Sequence, residues 1–382
     1  MELNGIRLDA QRCQVVIEDL THAREQTAAR LRQQLQPMGR LQQAGRVFEA
    51  LTLNLNSPTQ LLAALRALGI PLANTKESTL TSYLKAHPII PALLSYRKAA
   101  KAVQMVENLP THIHPVTGRI HPEYLQLGTT TGRFACRQPN LQQTPRSGGV
   151  RDCFIADPGW RIVRADMSQI EMRIAAELAQ EPRMIEALCR GDDLHTLTAG
   201  LLVGEAAAEV TPEERQAAKA VNFGLIYGMR AAGLRAHARD HYGVELEDPD
   251  QYIARFFAGY PVLARQHRRL DQDRSSETRT RCGRRRRWSA TPGLTELLNT
   301  PVQGTGADIL KMALTLLPAA LAGTHARLVG TVHDEVMFEA PEQEAPVVGQ
   351  ILKQVMEEAG RRYLTQVPVV AEVTITDSWA KA

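Results

Sequence analysis

Two short strand-like segments, each delivering an aspartate and separated by more than a hundred residues of mainly helical sequence, constrain this chain more than any other feature. RIVRADMSQIEMRIAAELA (161–179) reads as a strand ending at Asp166, a turn through Ser168, and an amphipathic helix. TVHDEVMFEAP (331–341) reads as two strands joined tightly at His333 and Asp334. With strands expected at 160–165, 326–332, 335–339 and near 369–375, the fold class is α+β: a small sheet, a helical region before it, and another inserted within it. An aspartate at a strand end can reach a metal shared with a second one. Hard Mg²⁺ takes oxygen ligands and keeps substrate phosphates in its shell, so two carboxylates suffice without His or Cys. Each aspartate alone equally fits a turn or capping residue.

TPEERQAAKAVNFGLIYG (211–228) adds a third element. Thr211 and Glu214 form a capping box, and Pro212 takes the first helical position. Arg215, Lys219, Phe223 and Tyr227 then recur every four residues. Each step of four drifts only about 40° around a helix, so the four share one face about 18 Å long. Its first half is cationic and its second aromatic, the order a nucleoside triphosphate requires. The bland alternative is an amphipathic helix with its rings in the core and its cations solvated. Gly228 allows a turn after Tyr227 and leaves space for a template base.

The rest of the chain supplies context. Residues 11–36, 53–70 with a start at Ser57-Pro58, 79–86 and 90–107 read as helices, so the first 108 residues are expected to be helical. A composition of 44% hydrophobic and 23% charged residues excludes a disordered chain, a collagen-like repeat or a coiled-coil rod. Apolar runs fall short of the roughly 20 residues that span a bilayer, and no secretory apolar segment opens the chain. The net charge of +4 hides a split. Residues 255–287 carry 11 Arg against Asp271, Asp273 and Glu277, a balance of 11 − 3 = +8, whereas 334–358 carry seven acids against Lys353, a balance of 1 − 7 = −6. The basic block, ending in RCGRRRRW, fits either a phosphate-binding surface or a solvated loop. Five cysteines without a CxxC pair point to free thiols in a reducing compartment, with Cys136, Cys153 and Cys189 as buried small hydrophobes. His112, His114 and His121 lack a carboxylate or Cys at ligand spacing and read as loop residues.

Together these segments resemble the polymerase region of family A DNA polymerases, the bacterial DNA polymerase I group. DMSQIEMR (166–173) resembles motif A, RQAAKAVNFGLIYG (215–228) motif B and VHDEV (332–336) motif C. TTGRFACRQPNLQQTPR (130–146), GDDLH (191–195) and LLNTPVQGTGADILK (297–311) match further family segments, and MELNGIRLD resembles the entry into the thumb. The resemblance implies a right-hand fold: thumb 1–108, palm 109–180 and 291–382, fingers 181–290. It implies that Asp166, Asp334 and the backbone carbonyl of Met167 bind two Mg²⁺ ions, with Mn²⁺ as an alternative, and that Glu335 is an auxiliary acid. Arg215 and Lys219 would hold the triphosphate, Lys219 also donating a proton to pyrophosphate. Phe223, Tyr227, Gln169 and His195 would complete the dNTP site, and Glu171 would exclude a ribose 2′-OH. Arg133, Asn299, Gln303, His333 and Gly228 would contact primer–template DNA.

Departures accompany the match. Met167 stands where the family has Tyr, Thr295 where it commonly has Arg, and ACR (135–137) replaces a Ser-rich stretch. The proofreading and 5′ nuclease domains are expected to be absent. The implied protein is a cytoplasmic monomer, nucleoid-associated if bacterial, that works on primer–template DNA and dNTPs, with a separate nuclease and replication accessory proteins as further partners. Three alternatives stay open: a single-subunit RNA polymerase-like enzyme, opposed by Glu171 and Phe223; a catalytically silent primer–template binding protein; and a metal-dependent nuclease, which has no use for the triphosphate stripe.

Overall fold

A computed structural model of the chain describes residues 1–35, 39–43, 46–49, 52–84, 86–204 and 209–380. It divides into two compact units. One is mainly helical and comprises Leu8–Gly118 and Thr144–Phe154; the other comprises Met1–Arg7, Arg119–Gln143 and Ile155–Ala382. The helical unit therefore runs past residue 108 and takes in a later segment, which no contiguous reading of the sequence anticipates.

In the helical unit, helices span Ala10–Leu35, Pro58–Ala67, Glu77–Thr81 and Ile89–Glu107. Ser57 caps the second, accepting a hydrogen bond from the backbone N–H of Gln60, and Pro58 sits in its first turn as expected. Leu31, Leu35, Leu61, Leu65, Ile90 and Leu93 meet in a buried apolar core. The helix expected to reach Gln36 is described as far as Leu35, and Lys85 of the 79–86 expectation also lies outside the described residues. Not all of this region is helical: Arg40–Gln43 pairs antiparallel with Arg46–Glu49. Gly39 before it adopts φ +59°, a conformation no right-handed helix continues through.

The second unit is built on a four-stranded antiparallel sheet. Its strands are β1 (Trp160–Met167), β4 (Arg327–Val332), β5 (Glu335–Pro341) and β6 (Ala371–Thr376), in the spatial order β4-β5-β1-β6. All four strands read from the sequence are present, with ends shifted by one or two residues. Between β1 and β4 come helices α1 (Ile170–Ala179), α2 (Pro182–Arg190), α3 (Leu194–Val203), α4 (Pro212–Leu225), α5 (Ala231–Tyr242), α6 (Pro249–Gly259) and α7 (Pro261–Asp273). A hairpin of β2 (Glu277–Arg279) and β3 (Arg285–Arg287) follows, then the 27-residue α8 (Leu294–Ala320); α9 (Ala345–Arg361) lies between β5 and β6. Among the described residues no helix is long and apolar enough to cross a membrane.

Buried carboxylates fasten these helices. Glu181 accepts the backbone N–H groups of Val262 (2.9 Å) and Leu263 (3.1 Å), capping α7 from a distant point in the chain. Glu177, on α1, accepts those of Thr365 (2.8 Å), Gln366 (3.1 Å) and Val367 (3.0 Å) with its carboxylate 1% exposed. Glu177→Ala orphans all three donors and is expected to lower stability by about 3 kcal/mol or more in chemical denaturation. Glu177→Gln keeps acceptor oxygen and should lose less; equal losses would show that the hydrogen bonds do not matter.

The end of the Arg block forms the β2–β3 hairpin, whereas its earlier arginines, Arg255, Arg265, Arg268 and Arg269, lie on α6 and α7. Much of its charge is neutralised within the fold. Glu277 pairs with Arg279 (3.0 Å) and Arg287 (2.7 Å). Arg284 turns inward, reaching Asp308 (2.9 Å) and the carbonyls of Thr131 (2.6 Å) and Gly304 (3.2 Å). A Cβ on Gly304 would meet Thr280 Cγ2 at 2.6 Å and Arg284 Nη2 at 2.9 Å, so the closeness of that packing requires glycine.

Candidate active site

β1 and β5 are neighbours in register, with Glu335 opposite Asp166. Asp334 occupies the tight connection between β4 and β5, where His333 takes the left-handed conformation at φ +58° and is exposed. The Met167 N–H donates to the Asp334 carbonyl (3.2 Å), so the backbones carrying the two aspartates are tied directly. The turn after β1 is stitched too. Ser168 N–H donates to Val370 O (2.9 Å), while Arg173 donates to Ser168 O (2.8 Å) and Pro368 O (2.7 Å). Both aspartates are half-buried. Burial, reinforced by the Asp166 charge and then by Glu171, pushes the Asp334 carboxyl up to about 7, against the opposing effect of Arg133. The sheet thus holds two carboxylates whose charges oppose each other.

Glu171, in the first turn of α1, faces the same site. It is bound by Arg133 and by the Tyr227 hydroxyl, which donates to it. Gln303 on α8 also lies beside the Tyr227 hydroxyl. Two residues from separate stretches thereby converge on one carboxylate. Burial, with the Glu171 charge beside it, holds the Tyr227 hydroxyl well above its ordinary value, so it stays a donor.

The stripe forms on the helix as far as Phe223. Thr211 and Glu214 complete the capping box in both directions, at 3.2 Å and 2.8 Å. The helix ends at Leu225, so Tyr227 lies in the turn beyond it and is buried, at 7% exposure. Gly228 follows at φ +71°, where a Cβ would also meet Leu298 at 2.8 Å. Arg215, Lys219 and Phe223 are half-buried. Arg215 is paired with Asp193 (Nε to Oδ2, 2.5 Å). Asp193 also caps α3 by accepting the His195 N–H at 3.1 Å. His195 lies within the packing of α3 on α4, its ring 5.6 Å from that of Phe223. Burial, then the charges of Lys219 and Arg215, lower its imidazole to about 4 against the pull of Asp193. His195 is therefore neutral at pH 7.

Other expected residues are placed less directly. Gln169 caps α1 at φ +52°, and its Oε1 is buried without a partner among the described residues. Asn299 Oδ1, in the first turns of α8, is likewise buried and unpartnered. Glu335 is turned into the fold: Trp379 Nε1 donates to it at 3.1 Å, and Arg164 lies 3.8 Å away. The Met167 side chain is fully buried. Thr295 is exposed. Arg137 is held bidentately by Glu123 (2.8 and 2.6 Å), so its charge is balanced. Cys136 and Cys153 are buried as expected; Cys189 is not, being exposed with its thiol 3.2 Å from Gln366 O. A residue in the last turn of an amphipathic helix can lie on either face, and burial preference alone chose the wrong one.

Sequence reading missed Asp193 and Asn222. An Asp just before an apolar run is an N-cap signal, and a mid-helix Asn is unfavourable unless it has a partner. Among the described residues no group of three or more His, Cys, Asp or Glu converges as a metal site. The candidate metal donors are the aspartate pair. Its oxygen-only character and mutual repulsion suit a hard divalent cation that takes its remaining ligands from phosphate and water.

Comparison with known proteins bears on this geometry. The model of the family described as DNA polymerase family A matches residues 21–381. The chain is 39% identical over 314 residues to DNA polymerase I of Aquifex aeolicus, covering 81% of this chain and 54% of that protein. It is 35% identical over 408 residues to the thermostable DNA polymerase I of Thermus aquaticus, covering 100% of this chain and 46% of that one. The chain thus spans about half the length of these curated relatives. Among solved structures, the POL domain of Pol1 from M. smegmatis, in complex with DNA primer-template and dNTP, matches with a TM-score of 0.84 and 30% identity. That match covers 98% of this chain and 67% of the other.

Proposed function

The chain belongs to DNA polymerase family A and has its α+β polymerase fold, and from that premise we propose that it is a template-directed DNA polymerase acting by two-metal nucleotidyl transfer. The observation that carries the reading is the convergence of the aspartate pair, Glu171, Arg133, Tyr227 and Gln303 in one site. The buried, unpartnered oxygens of Gln169 and Asn299 add acceptors that a ligand would complete.

In this reading the primer O3′ attacks the α-phosphorus of a dNTP, loses its proton, and displaces pyrophosphate. Asp166 and Asp334, with the Met167 carbonyl, would hold two Mg²⁺ ions, or Mn²⁺. Bound there, the ions supply Lewis-acid stabilisation of the attacking and departing oxygens. Lys219 donates a proton to the leaving pyrophosphate. Arg215 grips the triphosphate after exchanging Asp193 for phosphate, and Phe223 packs beside sugar and base. Tyr227 and Gly228 border the nascent pair, and Glu171 fills the space of a 2′-OH. Arg133, Asn299, Gln303 and His333 contact the primer–template. Glu335, held by Trp379 and Arg164, acts as an auxiliary acid from the neighbouring strand.

The helical first unit takes the thumb role, the sheet the palm and the helices between Asp166 and Asp334 the fingers. The chain works as a cytoplasmic monomer on DNA, beside a separate nuclease and accessory proteins. Primer extension on a primed DNA template with Mg²⁺ and the four dNTPs should give products to the template end. Folded protein that binds primer–template and adds nothing would make it a silent binding module instead.

A further inference from the structure

We propose that Asn222 is a positioning residue that fixes His195 in the tautomer bearing hydrogen on Nε2, so that the ring offers a neutral, oriented N–H donor to the triphosphate. The ligand assignment rests on the polymerase reading above; the tautomer does not.

The argument starts from a chain of buried polar groups between α3, α4 and the start of α7. Tyr260, Thr198 and Asn222 are fully buried, and His195 is 3% exposed. Tyr260 Oη lies 2.8 Å from Thr198 Oγ1, Thr198 Oγ1 lies 3.1 Å from Asn222 Oδ1, and Asn222 Nδ2 lies 3.0 Å from His195 Nδ1. Each hydroxyl has one hydrogen to give. The Leu194 carbonyl (2.8 Å) takes the Thr198 hydrogen, so Tyr260 donates to Thr198, and the Asn222 amide, in the orientation of the structure, turns Oδ1 toward Thr198 Oγ1. The amide oxygen is then an acceptor, and the amide nitrogen can only donate. In that orientation Nδ2 faces His195 Nδ1, which then presents a lone pair and leaves the ring hydrogen on Nε2. The reverse amide orientation would place Oδ1 on Nδ1, require Nδ1–H, and leave Nε2 bare.

Burial keeps the ring neutral at pH 7, with Lys219 and Arg215 acting in the same direction. The Phe223 ring packs against it, so two adjacent residues of α4 hold one imidazole. The cationic half of the stripe thus supplies charge, and His195 adds direction without adding a third cation. A donor fixed before the ligand arrives loses little freedom on binding.

Long-range ¹H–¹⁵N correlation of the full chain, labelled at histidine and free of nucleotide, tests the tautomer at pH 7.5. We expect a pyridine-type Nδ1 and a pyrrole-type Nε2 for His195. Asn222→Asp supplies a carboxylate that accepts from Nδ1–H and should reverse the pattern. For function, KM for dATP on a primed DNA template should rise about tenfold in His195→Asn, which mimics only Nδ1. His195→Gln places an amide near the Nε2 position and should recover most of that loss. An Nδ1–H or charged ring in the wild type overturns the proposal, as does equal behaviour of the Asn and Gln variants. The spectrum and the His195 pair decide the matter even if Asn222→Asp fails to fold. A protein that inserts nothing yet shows Nε2–H refutes the polymerase reading alone; one that inserts normally with Nδ1–H refutes this inference alone.

Discussion

Asp334→Asn is expected to lower single-turnover nucleotide insertion by about 10³-fold or more, while making the metal-free protein more stable at pH 8. The first effect follows from losing one of two carboxylates that would hold the metals, whose stabilisation of the transition state is worth several kcal/mol at about 1.4 kcal/mol per tenfold in rate. The second follows from the raised Asp334 carboxyl, pushed up to about 7 by burial and by Asp166. An acid whose folded pKa lies above its unfolded value gives stability that is fully present below about pH 4 and is lost as pH rises to about 7. Without metal, wild-type Tm should therefore fall between pH 5 and pH 8, and Asp334→Asn should flatten that fall. Mg²⁺ should raise wild-type Tm more at pH 8 than at pH 5 and leave the variant nearly unmoved. A variant that is inactive but less stable at pH 8 would mean that Asp334 serves the fold and not a cation.

Glu171→Ala is expected to reduce discrimination of dNTPs over rNTPs by about 10²-fold, read as the ratio of their kcat/KM values. The Glu171 side chain is 17% exposed and is fixed by Arg133 and the Tyr227 hydroxyl, so it cannot swing aside to admit a 2′-OH. Its removal also strips a partner from both neighbours, and dNTP insertion itself should slow by about tenfold. Tyr227→Phe separates the two effects. It keeps the ring, frees one side of the carboxylate, and should relax discrimination only in part. If Glu171→Ala lowers insertion of both sugars equally, the carboxylate organises Arg133 and Tyr227 without gating the sugar. Equal use of rNTPs by the wild type would favour the RNA polymerase-like alternative.

What was legible in the sequence was local. The capping box at Thr211 and Glu214, the four-residue recurrence from Arg215 to Phe223, and the turn at Gly228 are set within a few residues, and the structure forms them as read; Tyr227 falls just past the end of the helix. The strands were legible because apolar residues and turn signals bound them. Less legible was anything set by pairing across distance. Arg215 is held by Asp193, 22 residues away, and Glu335 by Trp379, 44 away; no periodicity encodes either. The return of Thr144–Phe154 to the helical unit is of the same kind. The β2–β3 hairpin escaped because consecutive arginines carry no hydrophobic alternation, and its positive balance is largely answered by Glu277, Asp308 and other acids. Strand alternation turns the Met167 side chain from Asp166 into the core, where it is fully buried.

The central claim is that the two aspartates and the α4 stripe form one templated nucleotidyl-transfer site. Single-nucleotide insertion opposite each of the four template bases, with each of the four dNTPs and Mg²⁺, tests it most directly, with Asp334→Asn alongside. The account predicts that each template base selects its complementary dNTP, that pyrophosphate appears in step with primer growth, and that the variant does neither. Insertion indifferent to the template base, or undiminished in Asp334→Asn, would contradict it.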